Sequence, residues 1–137
     1  MNRGGFLDSS VLIDVFVPDQ VDHHRRASAL IRQASSGDIV LHISQTVLFE
    51  AAYVLSNVYH IPRTLIADEL TNMLHLNNLV VADKPLLFGT FELWARETPQ
   101  SFADCYHLVL AKTQSLDAIY SFDKKMGRYP GVERIEP

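Results

Sequence analysis

The chain reads as an α/β protein with a mostly parallel sheet and helices on both faces. Three observations predict this. Short β-branched or aromatic runs recur along the chain, segments with apolar residues at helical spacing separate them, and turn residues mark most boundaries. Phe6-Leu7 begins the pattern as a short strand leading into an element at residues 9–16, which Pro18-Asp19-Gln20 breaks. Asp22 or a neighbour caps the next helix, which carries Ala27, Leu30 and Ile31 to about residue 34 before Ser35-Ser36-Gly37 stops it. Ile39-Val40-Leu41 is the second strand. Ser44 then stands as a helix N-cap, and its helix runs to about residue 59. Pro62, at a first-turn position, starts a helix reaching about residue 76, and Asn77-Asn78 turns the chain into Leu79-Val80-Val81. Residues 85–96 are helical, with Leu86, Phe88, Phe91, Leu93 and Trp94 as packing residues. A loop at 97–100 precedes a helix at 101–114. Ala118 to Phe122 is a strand, and Tyr129-Pro130-Gly131 turns into a short edge strand at 132–135.

The 137 residues, 47% of them hydrophobic, suit one domain spanning 1–137 with its own core. A net charge of −4 argues against a protein that wraps nucleic acid by bulk electrostatics. It leaves a nuclease open, because local basic residues and metal ions hold phosphate. The single cysteine, Cys105, allows no intrachain disulfide and fits a reducing compartment. Met1 to Gly5 has no apolar signal-peptide core, and no stretch approaches the roughly 20 apolar residues of a membrane span. The expected address is the cytoplasm, with no membrane partner.

Four carboxylates stand in apolar sequence surroundings. Asp8 ends Gly5-Phe6-Leu7, Glu50 is the only charge between Val47 and Leu55, Asp104 opens the apolar stretch Ala103 to Ala111, and Asp123 follows Ala118 to Phe122. A charge in an apolar environment costs several kcal/mol unless compensated. A hard divalent cation, Mg²⁺ or Mn²⁺, is the simplest common partner for such a set. Ligands of parallel α/β sheets bind beyond the carboxyl ends of the strands, where Asp8 and Asp123 fall. Such ions activate water in phosphodiester cleavage, so no Ser, Cys or His nucleophile is needed. Each acid also has a structural reading. Asp8 suits a cap for the element beginning at Ser9, and Glu50 suits a polar helix edge, bordering the apolar face. Asp104 completes the capping-box spacing Ser101-x-x-Asp104, and Asp123 suits a turn with Lys124 and Lys125.

Other groups carry less. His23-His24 reads as a solvated helix face rather than a metal pair, and His107 as a packed or surface histidine. Cys105 reads as a small core residue. Asp14, Asp19 and Asp22 read as surface and turn acids. Lys124, Lys125 and Arg128 form a small basic cluster that suits either substrate phosphate or solvent. The sequence has no GxxxxGK[ST], GxGxxG or GxSxG, and no second Asp two residues after Asp8, which argues against an aspartyl-phosphate mechanism.

Taken in order, these segments resemble the PIN-domain proteins, of the type found as the VapC toxin of toxin–antitoxin pairs. The resemblance runs over nearly the whole chain. It rests on Phe6-Leu7-Asp8-Ser9-Ser10-Val11-Leu12-Ile13, on Gln45-Thr46-Val47-Leu48-Phe49-Glu50, on Phe102-Ala103-Asp104-Cys105-Tyr106-His107-Leu108 and on Tyr120-Ser121-Phe122-Asp123-Lys124. The acids are 42, 54 and 19 residues apart. It implies a compact three-layer α/β/α fold and a metal-dependent endoribonuclease acting on RNA. Carried over residue by residue, it implies an acidic metal site at Asp8, Glu50, Asp104 and Asp123, with Ser10 and Ser121 as supporting polar residues. It also implies a homodimer inhibited by a small antitoxin whose tail packs over the active-site groove. Val15 and Phe16 fit that groove, a dimer face or the core. The alternatives are a structure-specific DNA nuclease and a non-catalytic PIN-like binding module.

Overall fold

Strands and helices alternate as the sequence predicts, and every pairing between named strands is parallel. The computed structural model describes residues 3–96, 98–126 and 129–137. Two compact units divide it, Met1–Ala82 and Asp83–Pro137, each with its own hydrogen-bonded strands.

The first unit runs β1 (Gly5–Phe6), α1 (Ser9–Phe16), α2 (Val21–Ser35), β2 (Leu41–His42), α3 (Gln45–Tyr53), α4 (Arg63–Leu74) and β3 (Leu79–Val80). The strand order is β1-β2-β3, and Phe6, His42 and Val80 stand side by side in register. The strands are shorter than the apolar runs suggest. Pairing continues past them through Leu7 N–H to His42 O (2.8 Å) and Ile43 N–H to Val80 O (2.9 Å). Side chains alternate as a pleat requires: Leu7, Leu41, Ile43 and Leu79 are buried, while Phe6, His42 and Val80 are exposed. Helical residues Leu12, Leu48, Ala51, Ala52, Leu55, Ile66, Leu70 and Leu74 complete this core.

Two helix starts differ from the sequence reading, and one helix changes its winding before the end expected for it. Gln20, not Asp22, occupies the N-cap of α2, without a side-chain bond. Asp22 lies in the first turn, paired with Arg25 (2.6 Å) and Arg26 (2.8 Å), where a negative charge suits the positive end of the helix dipole. Pro62 is the N-cap of α4 rather than a first-turn residue. After α3 the backbone widens into a π-helical turn, Val54–Val58, with Tyr59 N–H bonded to Val54 O (3.1 Å). His60, at φ 56°, then turns the chain out of the helix.

The second unit holds α5 (Lys84–Ala95), α6 (Phe102–Thr113), β4 (Ala118–Tyr120) and β5 (Glu133–Ile135). Asp83, itself left-handed, caps α5 by accepting Leu86 N–H. Phe91, Trp94 and Phe102 form an aromatic cluster with centroids 4.7–6.3 Å apart. Most of the α5 packing residues expected from sequence are buried: Leu86, Phe91, Leu93 and Trp94 are, and Phe88 is half-buried. Of the loop expected at 97–100, Glu97 lies outside the described residues. Phe122, expected in the last inner strand, falls past β4 and is exposed. Among the described residues no helix is long and apolar enough to cross a membrane.

The close approach of β1 to β2 depends on one glycine. A Cβ at Gly4 would collide with the Val40 carbonyl oxygen, whereas one at Gly5 would meet nothing. Backbone does not yield as a flexible side chain does. Gly4→Ala therefore lowers unfolding free energy by about 1–3 kcal/mol, the usual cost of overpacking. Gly5→Ala, in urea titrations run beside it, leaves stability unchanged or slightly raised.

Candidate active site

Asp8 lies just past the carboxyl end of β1. Its extended backbone (φ −82°, ψ 157°) makes it the N-cap of α1, and its Oδ2 accepts both the Ser10 N–H (3.3 Å) and the Ser10 hydroxyl (2.7 Å). Both sequence readings of Asp8 are thus met in one residue: it is a cap, and it stands at a strand's carboxyl end. The Ser10 hydroxyl, followed by the Ser10 N–H, holds the Asp8 carboxyl below the usual aspartate range.

Ser9, between the two, reaches elsewhere. Its hydroxyl donates to Glu50 Oε2 at 2.7 Å, across 41 residues of sequence. Glu50 sits midway along α3, whose buried residues are Leu48, Ala51 and Ala52, with Leu55 following. At about 100° per residue, Glu50 is roughly 200° from Leu48, so it opposes the buried stripe. The expectation that it borders the apolar face is corrected. So is the desolvation argument: Asp8, Glu50 and Asp123 are exposed and Asp104 is half-buried. Leu7, Leu48, Ala51 and Cys105 carry the burial beside the first three acids, while Tyr120 and Phe122 before Asp123 are themselves exposed, so these charges are not forced to find a counter-ion by burial.

In the second unit Asp104 forms the full capping box. Ser101 Oγ accepts Asp104 N–H (3.1 Å), and Asp104 Oδ2 accepts Ser101 N–H (3.4 Å). Asp123 begins the turn after β4, its Oδ1 accepting Lys125 N–H (2.9 Å) and its own N–H donating to Ser121 Oγ (3.0 Å). Ser121 therefore supports Asp123 through the backbone. Lys124 and Lys125 are exposed, while Arg128 lies outside the described residues. Cys105 is buried as expected and His107 is exposed.

The structure ties Glu50 to Ser9, the residue that follows Asp8, whereas sequence reading singles out Ser10. Within neither unit do three or more His, Cys, Asp or Glu side chains of the described residues gather in an arrangement able to hold a metal ion. His23 is exposed and His24 half-buried. Both address Asp14 on α1, His23 Nδ1 lying 3.5 Å from its carboxylate and His24 Nδ1 2.8 Å from its carbonyl oxygen. Asp14 is accordingly a half-buried helix contact rather than a surface acid. Beside Ser10 opens a groove of about 680 Å³, lined by Val11, Ile13, Ala27, Leu30 and Val54 with Asp14, His23 and Arg26 among its polar residues. Val15 and Phe16, which from sequence fit the groove, a dimer face or the core, are half-buried and do not line it.

The Ser10–Asp8 bonds have a pH consequence. A carboxyl whose folded pKa is depressed adds stability above its unfolded value, and that stability is lost as pH falls through the folded value. Asp8 thus stays ionised to lower pH than an aspartate without these bonds. Ser10→Ala, by removing the largest cause, raises the Asp8 pKa toward the ordinary value; carboxyl-detected NMR titration of the two proteins reads the difference.

The model of the PIN domain matches residues 5–132, so it spans all four acids and both units. No curated protein matches the chain. With parallel strands joined through helices and an acid at the carboxyl end of β1, the chain belongs to the PIN-domain family, whose members are generally nucleases.

Proposed function

We propose that the protein is a Mg²⁺- or Mn²⁺-dependent endoribonuclease, the toxin of a toxin–antitoxin pair, with Asp8, Glu50, Asp104 and Asp123 as its metal ligands. The observation that carries this reading is the Ser9–Glu50 bond next to the Asp8 cap, which joins two family-type acids that are far apart in sequence. The donor set fits hard cations, since all four are carboxylates. The bonds they already make use only part of a carboxylate's roughly four acceptor sites. A bound divalent cation supplies the charge for activating water and stabilising the leaving oxygen.

The chain's own residues supply order. Ser10 orients the Asp8 carboxylate, Ser9 fixes the Glu50 carboxylate, and the capping box and the turn orient Asp104 and Asp123. Lys124 and Lys125 suit phosphate of an RNA substrate. The family match across both units supports one domain over 1–137. The VapC-like order of segments supports a homodimer and a cognate antitoxin whose tail covers the groove beside Ser10, and the lone cysteine supports a cytoplasmic address.

The deciding experiment is cleavage of several RNAs by purified protein with Mn²⁺, Mg²⁺ or EDTA. Asp8→Asn and Asp104→Asn lose at least about a hundredfold in rate, the scale for removing one preorganised charge contact. Equal activity in wild type and both variants overturns the site, activity in EDTA overturns the metal, and cleavage of DNA but not RNA replaces the substrate. Ser9→Ala has a smaller effect: the Mn²⁺ concentration for half-maximal cleavage rises about tenfold, as for loss of an outer-shell partner, with the melting temperature little changed.

A further inference from the structure

Only two polar side chains are buried among the described residues, Thr90 and Gln100. Thr90 is accounted for locally, its hydroxyl donating to the Leu86 carbonyl one helical turn back (2.8 Å). Gln100 is not. It is 0% exposed, its Nε2 donates to the Lys125 carbonyl at 2.9 Å, and its Oε1 has no partner among the described residues. A buried amide with an unpaired carbonyl is unfavourable, and an apolar side chain of the same volume would avoid that cost. The one bond it does make explains its presence.

We propose that Gln100 is a positioning residue that holds Asp104 and Asp123 in fixed relation. Gln100 directly precedes Ser101, the N-cap whose hydroxyl and N–H both engage Asp104. Lys125, whose carbonyl Gln100 grips, gives its own N–H to Asp123 Oδ1. A continuous path of covalent and hydrogen bonds therefore runs from Asp104 through Ser101, Gln100 and Lys125 to Asp123, and the Gln100 amide is its single link across 25 residues of sequence. Met126 is buried next to Lys125 and its N–H bonds the Asp123 carbonyl (3.1 Å). Packing thus keeps the turn folded when the amide is removed, and what is lost is its alignment. The metal consequence rests on the reading of Asp104 and Asp123 as ligands; the mechanical link does not.

The test compares Gln100→Met, close in volume but lacking the donor, with Val109→Ala, which opens a cavity in the core of the same unit. Three quantities are measured on the full chain: Mn²⁺ affinity by calorimetry, melting temperature, and hydrogen exchange of the Lys125 amide. In Gln100→Met the Lys125 amide exchanges faster and Mn²⁺ binds about tenfold more weakly. In Val109→Ala the melting temperature falls while both other quantities hold. Unchanged Mn²⁺ affinity in Gln100→Met overturns the proposal. If the wild type binds no Mn²⁺, the metal reading fails and the exchange rate alone decides, an unchanged Lys125 rate overturning the link. Gln100→Glu covers a failure of the methionine variant to fold. Protonated, it donates to the Lys125 carbonyl, and ionised, it cannot, so its Lys125 exchange departs from wild type as pH rises. An exchange rate that tracks wild type at every pH overturns the proposal.

Discussion

Asp8 uses one carboxylate to end a strand, begin a helix and present a charge. Its Oδ2 takes the free N–H of Ser10, one of the donors that every helix start leaves unsatisfied. Because Leu7 is still bonded to β2 through His42, the cap falls at the carboxyl end of the sheet and not elsewhere. The direction of α1 follows from that corner, and so does the direction of Ser9, which points its hydroxyl across to α3. The arrangement of Asp8, Ser9 and Glu50 within the first unit is therefore built by a turn. Among the described residues no buried ion pair holds it.

That changes the physical reason for thinking about a metal. Burial would have made the acids expensive and a cation obligatory. They lie at or near the surface instead, where an isolated carboxylate is cheap and most ion pairs contribute little. What remains is order. Each acid has a specific donor within hydrogen-bonding distance, two serine hydroxyls and two backbone N–H groups, so each is aimed before any ligand arrives. Preorganisation of this kind reduces the entropy lost on binding, which is worth more to a site than the individual bonds are to stability. Capping and ligation are also not rivals, because a carboxylate has acceptor sites enough for both.

Local chemistry made much of this legible in advance. The Ser101-x-x-Asp104 spacing read correctly as a capping box because both partners lie within one helical turn. Ser44, Asp8 and the strand at Leu79-Val80 read correctly for the same reason: the determining residues are neighbours. Glu50 reads as bordering the apolar face because Val47, Tyr53 and Val54 are its helical neighbours, but Tyr53 is exposed and Val47 and Val54 are only half-buried. Ser9 and Gln100 carried no signal, since a serine beside a serine and a glutamine in a loop look alike whether or not they bridge distant segments.

The sequence by itself determined the alternation of strands and helices, the parallel topology and most element boundaries, because periodicity, caps and turn residues act over a few positions. Tertiary structure decided which of the four acids are exposed, that Ser9 bonds Glu50 while Ser10 bonds Asp8, that His23 and His24 both turn to Asp14, and that a buried amide ties the Asp104 helix to the Asp123 turn. Each of these depends on contacts between segments tens of residues apart, or on the orientation of a helix about its own axis. Both are set by how the core packs, and no local window of residues contains that information.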